Sequence, residues 1–358
     1  MNSLRILYIA YPLLPVTEAS AGGAEQMLRV TERRMVQRGH CTIVAACDGS
    51  QPAGDLLPTG AAAEQADGFA QRDSEHNACI LQFLARRQRT RRHFHLIHDM
   101  SGTFWPQAAA FSMPVLATLH LPQSFYPQHM FENIPVNVCF NCVSESQART
   151  FAGLPRLMGV VHNGIELDRF PLASGKRTHL LWLGRFCQEK GAHLAIQAAG
   201  KAGLPLVLAG QVYPFSYHQH YFQRQIAPHL DSGPRVRLAE APTAAQKIRL
   251  LGHARALLVP SLADETSSLV AMEAAACGTP VIAFRRGALP EVVRHGITGF
   301  LVDSVEEMAQ AVARLGEIKS VACRSHAEQN FSAARMAENY EELYLRVLAM
   351  SAAHKRAA

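Results

Sequence analysis

Two pairs of charged residues in the second half of the chain have types and spacings suited to chemistry. Glu265 and Glu273 stand eight positions apart in "ETSSLVAMEAAACGTPVIAF" (265–284). Ser267 or Ser268 can cap a helix running to about Cys277, with Gly278 as its stop. The unpaired N–H groups near Ser268 and Leu269 would then face an anion. Glu265 precedes this helix. Glu273 lies in its second turn, where side chains lean back towards the N-terminus. Both carboxylates can border one pocket, and because they repel phosphate their natural partners are hydroxyls. The second pair is cationic: Arg185 and Lys190 in "WLGRFCQEKG" (182–191). A planar guanidinium fork and a compact ammonium on one strand-to-helix loop can hold a diphosphate; as a solvated loop they would be unremarkable.

The first half offers weaker signals. "AGGAEQMLRV" places Gly22 and Gly23 before a helix, where glycine lets the backbone approach a phosphate and the helix start offers N–H groups. It is neither G-x-G-x-x-G nor a Walker-type loop, and a plain tight turn explains it equally well. His120 ends one apolar run, and His98 with Asp99 ends another. A histidine at a strand terminus can donate to a hydroxyl or phosphate, or transfer a proton.

The elements that must position these residues alternate along the chain. Strands are expected at 5–11, 41–47, 95–100, 114–120, 137–144 and 160–165. After a Pro/Ser/Gly-containing stretch at 166–178 a second series follows at 180–185, 205–210, 235–240, 256–261, 280–284 and 299–303. Runs apolar at every position, separated by helical patterns, belong to parallel sheets covered on both faces. Two series imply two doubly wound domains, whose ligands bind beyond the carboxyl ends of the strands. Residues 49–77 show no clear period and read as a long loop. A final helix has Met336, Tyr340, Leu343, Tyr344, Val347 and Leu348 on an apolar face, with Glu338, Glu341 and Glu342 opposite.

The 358 residues are ample for two domains, and 48% hydrophobic with 18% charged residues is a globular balance. The net charge of +6 owes five units to arginines in "RRQRTRR" (86–92), leaving about +1 elsewhere. That run is a solvated helix end or a contact for an acidic acceptor or anionic lipid. It lacks interleaved aromatics, so nucleic acid is not an expected partner. The eight cysteines lie mostly in apolar runs, and the single C-x-x-C (Cys139, Cys142) reads as core packing. "RILYIAYPLLP" has one arginine and two prolines, so it reads as a first buried strand rather than an export signal. The expected location is cytoplasmic, with peripheral contact at the inner membrane face through Arg86, Arg87, Arg89, Arg91 and Arg92 as one use of the patch.

These residues resemble those of family-4 retaining glycosyltransferases of GT-B fold. The hallmark E-x7-E is Glu265 to Glu273, followed by "A-x-x-C-G-T-P-V-I-A". Matching pieces are "GGAE" (22–25), "CVSES" (142–146), "VHNGIELDRF" (161–170), "LGR...EKG" (183–191) and "LPEVVRHGITGFLVD" (289–303), in family order. The resemblance implies an α/β GT-B fold, two doubly wound Rossmann-like domains facing across a cleft. An acceptor-side domain would span 1–168, completed by a helix near 332–350, and a nucleotide-sugar domain 169–331. It implies Glu273 on the ribose hydroxyls, Arg185 and Lys190 on the diphosphate, and Glu265 on the donor sugar. N–H groups of Ser267, Ser268 and Leu269 would meet phosphate and sugar. Gly22 and Gly23 would close on the diphosphate, and His120 would lie beside the transferred sugar. The partners implied are a nucleotide-sugar donor and a glycan, lipid-linked or small-molecule acceptor, with no cofactor. Without a D-x-D, no metal bridge to the diphosphate is expected. One departure is Thr266, Ser267 and Ser268 where the family commonly has Pro-Phe-Gly. A nucleotide-sugar epimerase of the same fold, or a non-catalytic nucleotide- or glycan-binding partner of another transferase, would share many of these features.

Overall fold

The computed structural model describes residues 3–357 apart from 19, 21, 63–68, 90–92, 176 and 231–234. The chain divides into two compact units: Met1–Gly164 together with Ala333–Ala358, and Ile165–Ser332.

The first unit is built on a parallel sheet of β1 (Arg5–Ile9), β2 (Cys41–Ala46), β3 (Asp55–Pro58), β4 (Leu96–Asp99), β5 (Val115–Leu119), β6 (Val138–Cys142) and β7 (Leu157–Val160). Their spatial order is β3-β2-β1-β4-β5-β6-β7, so the direction of winding reverses between β1 and β4. Strands β4, β5 and β6 are buried at every position, so their sequences are largely apolar without alternation, with His98, Asp99, Thr118 and Asn141 as their buried polar residues. Helices α1 (Gly23–Gln37), α2 (Phe69–Arg89) and α3 (Glu145–Thr150) pack here. Ser144 caps α3, its hydroxyl accepting from Gln147 N.

The C-terminal helix, Ala333–Ala357, belongs to this unit. Met336, Tyr340, Leu343, Tyr344 and Val347 are buried, and the Tyr344 hydroxyl lies 2.9 Å from that of Tyr8 and 2.7 Å from His98 Nδ1. Glu338 and Glu342 are exposed, but Glu341, expected on the same solvated face, is buried. Its carboxylate accepts from Arg38 on one oxygen and from His40 Nε2 (3.1 Å) on the other, a local ion pair that hydropathy does not reveal.

Two stretches differ from the sequence reading. The expected loop 49–77 holds β3 and the first turns of α2. Strand β3 is a four-residue edge strand, too short to display a period. The buried face of α2 begins with Arg72, His76 and Asn77, which disguise its helical spacing before Ile80 and Leu84 take over. The strand expected at 160–165 lies earlier, at Leu157–Val160; the ladder ends where Val161 N bonds Cys142 O at 3.0 Å.

The second unit carries β8 (His179–Arg185), β9 (Leu206–Gln211), β10 (Val236–Glu240), β11 (Ala254–Val259), β12 (Val281–Phe284) and β13 (Gly299–Val302), parallel and ordered β10-β9-β8-β11-β12-β13. Around them lie α4 (Ala192–Ala202), α5 (Ser216–Gln225), α6 (Ala227–Leu230), α7 (Ala244–His253), α8 (Leu269–Ala276), α9 (Leu289–Val292), α10 (Val305–Ala313) and α11 (Ser320–Asn330). Thr243 and Gln246 close a capping box at the start of α7. The winding reverses between β8 and β11. The loops leaving these two strands carry Arg185 with Lys190 and Glu265, so the fold brings to its switch point residues far apart in sequence.

Candidate functional site

At the switch point of the second unit the loops after β8 and β11 are stitched together. Leu262 N donates to Glu189 O (2.7 Å), the Ser261 hydroxyl oxygen lies 3.1 Å from the same carbonyl, and Trp182 Nε1 donates to Lys190 O (3.0 Å). Gly191, at φ +68°, lies so close to Pro260 that a Cβ would collide with its carbonyl oxygen. Gly287, at φ +51°, lies against the Glu265 backbone in the same way, and Ala288 N donates to Glu265 O (2.7 Å). Backbone contacts alone therefore fix where Lys190 and Glu265 start.

Their side chains meet. Lys190 Nζ donates to both oxygens of Glu265, at 2.6 and 2.7 Å, and the Ser261 hydroxyl donates to Oε1 at 2.7 Å. An ammonium has three donors, so one N–H of Lys190 is left over. The sequence suggested a cation for phosphate and a carboxylate for sugar as separate groups. Here they form one ion pair. Arg185 stands apart from it: exposed at the end of β8, its guanidinium makes no hydrogen bond or ion pair among the described residues and lies 5.8 Å from the centre of the Tyr213 ring.

Helix α8 begins at Leu269, with Ser268 at the N-cap position but no capping bond from its side chain, contrary to the capping role considered for it. The Ser267 hydroxyl does not cap either; its oxygen is buried with no partner among the described residues. Gly278 ends the helix at φ +72°. Glu273 is buried, and Lys247 Nζ donates to its Oε1 at 2.6 Å, while Oε2 has no partner among the described residues. Lys247 was missed in the sequence. It sits one turn inside α7, and nothing but the fold brings that turn to a glutamate 26 positions away.

In the first unit, Gly22 is the N-cap of α1 and Gly23 its first residue. The Glu25 carboxylate folds back onto Gly22, where a Cβ would collide with it, so this helix start already holds an anionic group of the protein's own. Burial raises the pKa of that carboxyl. His120 lies half-buried just past β5, and desolvation holds its imidazole down to about 4, so it is neutral near pH 7. His98 is fully buried between Tyr344 and the Thr118 hydroxyl (2.7 Å from each) and serves the core rather than a ligand. Asp99, pushed up to about 6 by burial, accepts from Ser101 N, Ser101 Oγ, Gly102 N and Trp105 N, and thereby shapes the turn after β4.

Arg86 is exposed near the end of α2, and Arg87 lays its guanidinium over Phe83 and Phe94, at 5.0 and 4.9 Å from the ring centres. Arg91 and Arg92 lie outside the described residues, as does the side chain of Arg89. Cys139 and Cys142 are buried in β6, and burial pushes the Cys142 thiol up to about 12. Among the described residues no three His, Cys, Asp or Glu side chains gather to hold a metal ion, and no helix is long and apolar enough to cross a membrane.

Residues 177–317, which contain the whole switch point of the second unit, match the family described as glycosyl transferases group 1. Over 175 residues the chain is 31% identical to the D-inositol 3-phosphate glycosyltransferase of Mycolicibacterium paratuberculosis, covering 45% of this chain and 40% of that protein. The match thus spans well under half the length of that curated relative. Sucrose-phosphate synthase from Thermosynechococcus elongatus is similar in structure (TM-score 0.78, 19% identity, 97% of this chain and 100% of that one). So is HepE of Anabaena, solved in complex with UDP and glucose (TM-score 0.74, 19% identity, 95% and 99%). The fold is α/β of the GT-B type, and the sequence match supports a glycosyltransferase.

Proposed function

We propose that the chain is a retaining, metal-independent glycosyltransferase that moves a sugar from a nucleoside-diphosphate sugar to a hydroxyl of a glycan, lipid or small-molecule acceptor. The observation that carries this reading is the grouping at one sheet's switch point of the uncommitted Arg185 guanidinium, the Lys190–Glu265 pair and the start of α8. That grouping lies within the segment matching the glycosyl transferases.

In this reading Arg185, the remaining N–H of Lys190 and the amides of Ser267, Ser268 and Leu269 take the diphosphate. They stabilise its charge as the bond to the sugar breaks. Glu265, held by Lys190 and Ser261, accepts from the donor sugar's hydroxyls with its remaining lone pairs, and Glu273 Oε2 accepts from the ribose. The acceptor hydroxyl attacks on the face that the leaving group vacates, which keeps the anomeric configuration. Arg86 and the arginines after it provide peripheral contact with an anionic surface.

Turnover of a panel of nucleotide sugars tests this. Loss of one preorganised charge donor costs about 100-fold or more in rate, so Arg185→Ala and Lys190→Ala are expected to fall by that factor. Wild-type rates in both would remove the leaving-group role. An isomerised sugar formed from donor alone would redirect the reading to an epimerase.

A further inference from the structure

The loop leaving β9 is a ligand-edge segment of the second unit that the donor reading leaves unassigned. It carries four aromatic rings, the first of them against Arg185. In the sheet Arg185 pairs with Gln211, the last residue of β9, and Tyr213 follows two positions later with its ring under the guanidinium. Phe215 and Tyr217 lie nearly parallel, 20° between planes and 5.9 Å between centres. His218 supports both from the side, edge-on at 5.2 Å to Phe215 and 4.2 Å to Tyr217. The His218 imidazole is wholly buried, and neither ring nitrogen has a partner among the described residues. Burial and then the nearby Arg185 lower its pKa, so it stays neutral. Leaving two buried nitrogens unpaired is costly. Tyr217, by contrast, is 54% exposed. A large exposed ring, backed by a second ring and a buried imidazole, is a rigid flat shelf with one open face.

A shelf of π-faces beside a cation with no anionic partner among the described residues matches a ligand that is planar at one end and negatively charged at the other. Aromatic side chains stack on any nucleobase, and the guanidinium fork fits phosphate oxygens. We infer that Tyr217, backed by Phe215 and His218, is the stacking surface for the base of a nucleoside diphosphate whose phosphates engage Arg185, with Tyr213 positioning that arginine. The inference rests on the donor reading above and adds to it which residues carry the base.

Calorimetric titration of the full chain with UDP, GDP, ADP and inorganic pyrophosphate tests it. Stacking by one aromatic ring is worth about fivefold or more in affinity. Tyr217→Ala is expected to weaken the preferred nucleoside diphosphate by at least that factor and to leave pyrophosphate binding within about twofold, while Tyr217→Phe binds both as wild type does. Arg185→Ala weakens nucleotide and pyrophosphate alike. Tyr217→Ala binding nucleotide as tightly as wild type, or losing nucleotide and pyrophosphate in equal measure, overturns the shelf while leaving the donor reading intact. A wild-type protein that binds none of the three nucleotides overturns the donor reading itself, and the shelf with it. Because Tyr217 is largely exposed, its variants are expected to fold, and matching thermal unfolding curves confirm that.

Discussion

The carboxylates at this site are held by cations from unexpected places. Glu265 takes Lys190 and Glu273 takes Lys247, and the second pair is the more deeply buried, with the glutamate side chain 4% exposed. Removing one partner of a buried pair strands the other charge. Lys247→Met is therefore expected to cost about 3 kcal/mol in urea unfolding. Adding Glu273→Gln to it should recover much of that loss, and strictly additive losses would contradict the coupling. A second residue-scale prediction concerns acid. Buried His76 has its pKa lowered to about 4, by desolvation first and Arg72 second. Between its unfolded value near 6.5 and 4 the unfolded chain binds the extra proton, so stability is full above that window and falls as pH drops through it, by up to about 3 kcal/mol. Asp99, raised to about 6, works in the opposite direction, so the test is the difference between wild type and His76→Gln. The variant should show the shallower loss between pH 6.5 and 4; equal slopes would contradict it. Residue types and spacing made Glu265, Glu273, Arg185 and Lys190 visible in the sequence. Their pairing was not, because Lys247 and Ser261 reach them only through the fold.

At the scale of elements, most of the expected strands were readable because strands buried on both faces are predominantly apolar, as β5, β6 and β12 are, with Thr118 and Asn141 the polar exceptions. Strand β3 escaped notice as a short edge strand, and the start of α2 because its inward face is polar. Glycines separate the two kinds of loop that end these elements. Gly191 and Gly203 share nearly the same backbone, φ +68° and +67°, but a Cβ at Gly191 would strike Pro260 O while one at Gly203 meets nothing within 4 Å. Gly203→Ala is expected to cost about 1 kcal/mol, the ordinary penalty of a left-handed residue. Gly191→Ala should cost clearly more and also reduce nucleotide binding, since it displaces the loop carrying Lys190. Equal unfolding midpoints for the two variants would mean that the contact between the loops after β8 and β11 does not hold the site.

At the scale of the molecule, the C-terminal helix completes the first unit by adding a tyrosine to a buried polar chain running Tyr8–Tyr344–His98–Thr118–Asn141. Tyr344→Phe leaves two of these groups without their shared partner and is expected to cost about 1–3 kcal/mol. An unchanged denaturation midpoint would show that the chain is dispensable. The helix was legible in the sequence from its apolar stripe, whereas the tyrosine–histidine chain required the register of β1, β4 and β5. The central claim, however, rests on the second unit: that its switch point holds a nucleoside diphosphate. A crystal structure of the chain with bound UDP or GDP tests this most directly. The account predicts the diphosphate on Arg185, Lys190 and the first amides of α8, with a ribose hydroxyl on Glu273. A nucleotide bound elsewhere, with the Glu273–Lys247 pair sealed and Arg185 untouched, would contradict it.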